Sequence, residues 1–168
     1  MGCDIHMYVE YKNNTNINRE WCCGDYFRMD NPVADEPVIK RVELYDDRDY
    51  SLFAILADVR NSNLVEYIAE PKGLPDDATE FVKREYMAWG SDANSCSYFT
   101  LQELIDYHDE NKPKGMFGQY ILKPLIDKLK QRADELDLIW DFEWKNSLVS
   151  GVAYEKADRI RIVFWFDN

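Results

Sequence analysis

Apolar and polar residues alternate at the start of the chain, from position 3 to position 11. Because successive side chains of a β-strand point to opposite faces, this alternation predicts a strand with two different sides. One side is mostly apolar and carries Cys3, Ile5, Met7, Val9 and Tyr11. The other side combines two acids with an imidazole and a phenol, at Asp4, His6, Tyr8 and Glu10.

The end of the chain predicts a second long strand, over residues 159–167. Its two alternating sets are Ile160, Ile162, Phe164 and Phe166, and Arg161, Val163, Trp165 and Asp167. A strand that is apolar on both faces near its end belongs in the middle of a sheet.

Shorter apolar segments predict further strands at about 20–27, 38–44, 139–144 and 148–154. The turn-forming residues 13–16 predict a hairpin between the N-terminal strand and the first of these. Residues 29–37 carry two prolines and several acids, which indicates a surface loop. The polar segment 90–98 is expected to be irregular.

Helical spacing of apolar residues predicts helices at 50–60, from a cap at Asp77 to about Trp89, at 101–110 and at 116–136. Thr100 and Glu103 have the spacing of a capping box at the start of the third helix. Together these elements predict an α+β fold. We expect a mostly antiparallel sheet that includes the N- and C-terminal strands, with three or four helices packed on it, in a single domain over 1–168.

Composition narrows the possible partners. The chain has 168 residues, 46 % of them hydrophobic, which is enough for a core and rules out a disordered chain. A net charge of −12 argues against non-specific nucleic-acid binding and against anionic membrane surfaces. We expect no signal peptide and no membrane span. The four cysteines form no C-x-x-C pair, so we expect reduced thiols in a cytoplasm.

Asp4 and His6 are the first candidates for chemistry, since residues two apart on a strand point the same way. A carboxylate beside an imidazole can bind a metal ion, orient a base or form a hydrogen-bonded pair. The plain alternative is a polar strand face that holds the sheet edge. With only two histidines in the chain, a metal site would also need oxygen ligands such as Asp92 and Asn94, which suit Mg²⁺ or Mn²⁺ better than Zn²⁺.

Two other segments suggest anion binding. Asn94, Ser95 and Ser97 precede the capped helix, and free backbone N–H groups at a helix start attract phosphate. An ordinary polar loop is the alternative, because Thr100 and Glu103 occupy some of those donors. Arg60 and Asn61 follow a helix, where the guanidinium can grip an anion or sit favourably at the helix end. Arg161, on the final strand, can reach the same face as Asp4 if the terminal strands pair, and a salt bridge between the two is the plain alternative.

The chain resembles a family of small proteins encoded by bacteriophages and prophages. The segments that carry the resemblance are Met1 to His6, 50–61, Gly73 to Asp76, 92–104 and 161–168. The resemblance implies a viral accessory protein of the bacterial cytoplasm. Relatives tend to carry histidine where this chain has Asn94, which shifts any metal centre towards oxygen ligands.

Three functions are compatible with these features. The first is binding of a small phosphorylated ligand, such as a nucleotide signal of host defence. Its predicted ligand-binding residues are Asp4, His6, Arg60, Asn61, Asp92, Asn94, Ser95 and Ser97. The second is a metal-dependent phosphoester hydrolase that holds Mg²⁺, Mn²⁺ or Zn²⁺ on Asp4, His6 and Asp92. The third is an acidic decoy that blocks a DNA-binding host protein. Catalysis, oligomeric state and host target stay open.

Overall fold

The structure, a computed structural model, describes residues 2–12, 20–31, 33, 35–36, 38–111, 116–145 and 156–167. Within these residues the fold is α+β, as the sequence predicts, and it consists of four α-helices and six β-strands. The order of elements also follows the sequence patterns closely, except between residues 21 and 42 and around residues 94–100 and 139–144.

The main sheet has four antiparallel strands in the order β2-β1-β6-β5. Their bounds are β1 Ile5–Lys12, β2 Trp21–Cys23, β5 Asn94–Thr100 and β6 Ile160–Phe166. β1 pairs with β6 from Ile5 opposite Phe166 to Tyr11 opposite Ile160. The predicted N-terminal hairpin and the central position of the last strand are both confirmed.

Helices cover both faces of this sheet. The bounds are α1 Tyr50–Ala57, α2 Glu80–Trp89, α3 Leu101–Asn111 and α4 Met116–Lys145. The main core joins α1, α3 and α4 to the apolar side of β1 and to alternate residues of β6. α2 closes the opposite face, where Val82 packs with Tyr8, Cys96 and Trp165. Both faces of the central strand are therefore buried.

Strands β3 Tyr26–Asp30 and β4 Val38–Val42 form a separate two-stranded sheet, here called the ribbon. The prediction of one continuous strand over 20–27 is wrong, because the chain leaves β2 at Gly24 and enters the ribbon. The Gly24 N–H donates to the Val9 carbonyl at 2.7 Å. A Cβ on Gly24 would lie 2.7 Å from Cγ1 of Val9, so this close approach needs glycine.

Three other predictions need correction. Residues 94–100 form strand β5, because β6 supplies hydrogen-bond partners that a polar sequence does not reveal. Residues 139–144 continue α4 instead of forming a strand, and 148–154 lie outside the described residues. α1 ends at Ala57, since Asp58 adopts a left-handed conformation with φ 59°.

The starts of α2 and α3 are capped by side chains. Thr79, not Asp77, caps α2 by accepting the Val82 N–H at 3.3 Å. The predicted capping box of α3 is confirmed: the Thr100 N–H donates to Glu103, and the Glu103 N–H donates to the Thr100 hydroxyl. Among the described helices, none combines the length and apolar character that a membrane crossing requires.

Candidate functional site

The polar side of β1 does not face bulk solvent, because α2 lies over it. The Tyr8 ring stacks on Trp165 with ring centroids 4.9 Å apart, and the Glu10 side chain is completely buried. The predicted alternation of faces along β1 is confirmed by the two separate core clusters that its residues join. What remains partly accessible is the end of the sheet around Asp4 and His6.

His6 forms a hydrogen-bonded pair with a residue from the other end of the chain. Its Nε2 lies 3.0 Å from Oδ2 of Asp167, and the two side chains are 20 % and 22 % exposed. The indole of Trp89, at the end of α2, lies against the imidazole with ring centroids 4.0 Å apart and ring planes tilted by 35°. The pair is thus held between the sheet and the last turn of α2.

Asp167 also fixes Asp4, the residue directly before β1. Its Oδ1 accepts the Asp4 N–H at 2.8 Å, and its own N–H donates to the Asp4 carbonyl at 3.1 Å. Although burial acts in the opposite direction, the hydrogen bonds from Asp4 and His6 hold the pKa of Asp167 below its usual value. The carboxylate therefore serves as an acceptor for two groups at once.

The Asp4 carboxylate binds Arg48, which lies just before α1. Arg48 Nε and Nη2 donate to the two carboxylate oxygens at 2.7 Å each, a bidentate arrangement. The guanidinium also lies against Gly2, where any Cβ would displace it. Strand pairing puts Arg161 on the same face of the sheet as Asp4, as expected, but its salt bridge is with Glu10 instead of Asp4. Arg161 lies opposite Glu10 in the register, five residue pairs from Phe166, and binds Glu10.

Residues 92–97 lie at the same end of the sheet, but β6 separates them from β1. Asn94 is opposite Phe166, whose other neighbour is Ile5. Asp92 is exposed in a 3₁₀ turn, and its carbonyl accepts the Asn94 amide at 3.0 Å. A β-bulge follows, with Ser95 at φ 50°.

Ser97 forms a hydrogen bond that holds a neighbouring loop. Its side chain is fully buried, and its hydroxyl accepts the Lys72 N–H at 3.2 Å. The Gly73 N–H donates to the neighbouring Cys96 carbonyl at 2.8 Å, so the loop that contains Lys72 and Gly73 covers the edge of β5. Ser97 thereby helps to fix this loop.

The three residues proposed as metal ligands, Asp4, His6 and Asp92, do not share a common partner among the residues that the structure describes. Asp4 binds Arg48 and His6 binds Asp167, while Asp92 lies on the far side of β6. Across the described ranges, no three His, Cys, Asp or Glu side chains form a group suited to a metal ion.

Arg60 and Asn61 lie in the loop after α1. The Asn61 amide donates to the Asp58 carboxylate at 2.7 Å and to the Val65 carbonyl at 2.8 Å, and its oxygen accepts the Val65 N–H at 2.8 Å. These three bonds give the loop a defined shape. Arg60, at φ 55°, lies 5.9 Å from the centre of the Tyr50 ring.

This loop and the first turns of α1 enclose a small polar pocket of about 40 Å³. Its lining residues are Tyr50, Ser51, Ala54, Arg60, Asn61, Ser62, Asn63 and Val65. The lining therefore includes one arginine, two serines and one asparagine besides Asn61, whose amide shapes the loop.

Cys3 connects the pocket to the start of β1. Burial raises the pKa of its thiol, while the Arg60 guanidinium, which hydrogen-bonds the sulfur, acts to lower it. Since Cys3 and Asp4 are consecutive and face opposite ways, one contacts Arg60 and the other contacts Arg48. The opening residues thus position two arginines.

Sequence patterns did not single out Arg48, Trp89, Asp167 or Ser51 as site residues. A pairing of Ile5 with Phe166 would have placed Asp167 beside Asp4, but a single sequence does not show the register. Comparisons with known protein families, curated proteins and solved structures find no match to this chain.

Proposed function

We propose that the protein binds a small phosphorylated ligand and that the pocket beside Arg60 receives its phosphate group. The observation that carries this proposal is the pocket itself, whose lining combines an arginine with two serines and two asparagines. Since roughly 10–15 Å³ of such space accommodates one water, about 40 Å³ suits a group of a few heavy atoms. The rest of the ligand would lie outside the pocket, beside the partly exposed Tyr50 ring.

The chemistry of the lining supports an anion. A guanidinium matches the geometry of phosphate oxygens and donates to two of them at once. Ser51 and Ser62 supply hydroxyl donors, and Asn63 supplies an amide. Helix N-termini are not needed, since Asp49 already accepts the first N–H groups of α1 and Thr100 with Glu103 satisfies α3.

In this proposal Cys3 and Asp4, near the start of the chain, hold the arginines at and beside the pocket in place. Cys3 contacts Arg60, and the Asp4 pair with Arg48 fixes the adjacent chain. Of the eight predicted ligand-binding residues, Arg60 and Asn61 line the pocket. His6 with Asp167, and the segment 92–95, lie along the end of the sheet.

The resemblance to phage-encoded proteins gives the proposal its biological setting. A viral accessory protein in a bacterial cytoplasm would meet nucleotides and other phosphorylated metabolites of the host. We therefore propose a host nucleotide, including one that signals defence, as the ligand. The phosphate-sized pocket requires only that the ligand carry an accessible phosphate.

Contacts in the structure do not favour the other two functions. Asp4 binds Arg48 and His6 binds Asp167, so each side chain of the proposed metal pair has its own protein partner. Several acids that a decoy would display are bound to arginines: Glu10 and Asp77 bind Arg161, and Asp25 binds Arg41. Those carboxylates do not form an array of exposed negative charge.

A thermal-shift panel tests the proposal. Nucleoside mono-, di- and triphosphates, cyclic nucleotides and inorganic phosphate are compared with the parent nucleosides. A ligand at 100 times its Kd stabilises the folded state by about 2.7 kcal/mol, which is readily measured. We expect stabilisation by at least one phosphorylated compound and none by its nucleoside.

Matched variants locate the binding. Arg60→Gln removes the pocket cation, whereas Arg84→Gln removes an exposed arginine of α2 that lies over Phe81. The shift should disappear in Arg60→Gln and persist in Arg84→Gln. A panel without any stabilising phosphorylated compound, or equal shifts in both variants, would contradict the proposal.

A further inference from the structure

A larger cleft lies between the base of the ribbon and α4, and it shares no lining residue with the pocket beside Arg60. Its volume is about 490 Å³, within the range of small-molecule sites. The residues that line it are Tyr26, Val42, Glu43, Leu44, Lys128, Gln131, Arg132 and Glu135. Half of them come from the chain around the ribbon and half from α4.

Buried charges fix the two walls of this cleft to each other. Arg132 of α4 donates to the Gly24 carbonyl at 2.9 Å and to the Val42 carbonyl at 3.4 Å. The Asp25 carboxylate, which is fully buried, lies 3.0 Å from Arg41 and 3.5 Å from Arg132. These contacts hold the two walls in place before a ligand arrives. Binding then does not have to order the walls, which lowers its entropic cost.

The two carboxylates that line the cleft, Glu43 and Glu135, already accept hydrogen bonds from other side chains. Glu43 accepts a short hydrogen bond from Arg41. Glu135 accepts the Gln131 amide at 3.3 Å and a hydrogen bond from the Tyr26 hydroxyl. Neither acid is therefore an open site for a cationic ligand.

Lys128 differs from the other charged residues of the lining. Its ammonium lies 5.3 Å from the centre of the Tyr45 ring. Within the part of the chain that the structure describes, it forms no ion pair. Val42 and Leu44 are the apolar aliphatic residues that line the cleft together with this cation.

We propose that this cleft binds a small carboxylic acid, with the carboxylate on Lys128 and an apolar body against Val42 and Leu44. A single ammonium satisfies the charge of a carboxylate. A phosphate dianion would need further cationic donors, and Arg132, the other cation of the lining, already donates to the Gly24 and Val42 carbonyls. The two sites therefore select different anions.

An NMR titration of the ¹⁵N-labelled protein tests this second site. The probes are hexanoate, its neutral analogue hexanamide, and hexyl phosphate. We expect hexanoate to shift the amide signals of Val42, Leu44 and Gln131 in a saturable way. Hexanamide, which lacks the charge, should bind about tenfold more weakly or worse, and hexyl phosphate should bind no more tightly than hexanoate.

Two lysines of α4 provide matched variants. Lys128→Gln removes the cation of the cleft, and Lys130→Gln removes an exposed cation of the same helix that does not line it. Hexanoate affinity should fall about tenfold in Lys128→Gln and stay unchanged in Lys130→Gln. A third variant, Val42→Trp, should fill the cleft and abolish the shifts.

Several outcomes would overturn the proposal. These are absence of saturable hexanoate binding, equal binding of hexanamide, equal loss in both lysine variants, or shifts that map outside the cleft. If Val42→Trp fails to fold, the lysine pair still decides. The effect of Arg60→Gln on phosphate binding does not change the outcome of the hexanoate titration. The proposals for the two sites are therefore tested independently.

Discussion

The His6 imidazole and the Asp167 carboxylate, 161 positions apart, meet at 3.0 Å and join the two ends of the chain. The pairing depends on the register that sets Ile5 opposite Phe166. It places the opening residues where Cys3 reaches Arg60 and Asp4 reaches Arg48. The geometry of the proposed phosphate pocket therefore rests on contacts at the end of the central strand.

Asp167→Asn should destabilise the protein by about 1 kcal/mol at neutral pH, because it removes a charged acceptor for the Asp4 N–H and for His6. The pKa of Asp167 is lowered in the folded state from a usual value of 3.8. Its contribution is then fully present above the unfolded pKa and is lost as the pH falls through the folded value. Urea unfolding of the wild-type and Asp167→Asn proteins should show a difference in unfolding free energy at neutral pH that disappears in acid. A difference in stability that does not shrink as the pH is lowered into the acid range would disprove this role.

Arg161→Met should cost about 3–5 kcal/mol, because Glu10 would be left as an unpaired, fully buried carboxylate. Replacing Glu10 by Gln in the same chain should recover part of the loss, and the measurement is urea unfolding of the single and double variants. Asp77→Asn is the control, since that partner of Arg161 is 64 % exposed and should matter little. A double variant no more stable than Arg161→Met would refute the explanation.

The four cysteines should react with iodoacetamide in two groups. Cys22 and Cys23 are partly exposed, whereas Cys3 and Cys96 are buried. Burial raises the pKa of Cys96 to about 12, so its reactive thiolate is scarce near neutral pH. Mass spectrometry of the native protein should find Cys22 and Cys23 modified first, and Cys96 only after denaturation. Early modification of Cys96 would mean that α2 does not cover it as described.

Much of the fold follows from local patterns in the sequence. Alternation places β1 and β6, and the Thr100 and Glu103 spacing places the start of α3. The sequence pattern does not predict β5, because a bulge breaks its alternation and because its pairing with β6 is long-range. The apolar segment 139–144 is too short for its periodicity to separate a strand from the continuation of a helix.

The candidate site was only partly predictable, for a related reason. Asp4, His6 and Arg60 are recognisable as polar residues next to regular elements. Their partners are set by tertiary contacts: Asp167 by strand register and Arg48 by the path of the chain before α1. Asn61, predicted as a ligand-binding residue, lines the pocket and also shapes its own loop through Val65.

The most direct test of the phosphate pocket is an NMR titration with inorganic phosphate that follows the amides of residues 51 and 60–63 and the Arg60 side-chain Nε–H. We expect saturable shifts of these signals in the wild-type protein and in Arg84→Gln, and none in Arg60→Gln. Phosphate that leaves these signals unmoved, or moves them equally without the Arg60 guanidinium, would contradict the proposed site.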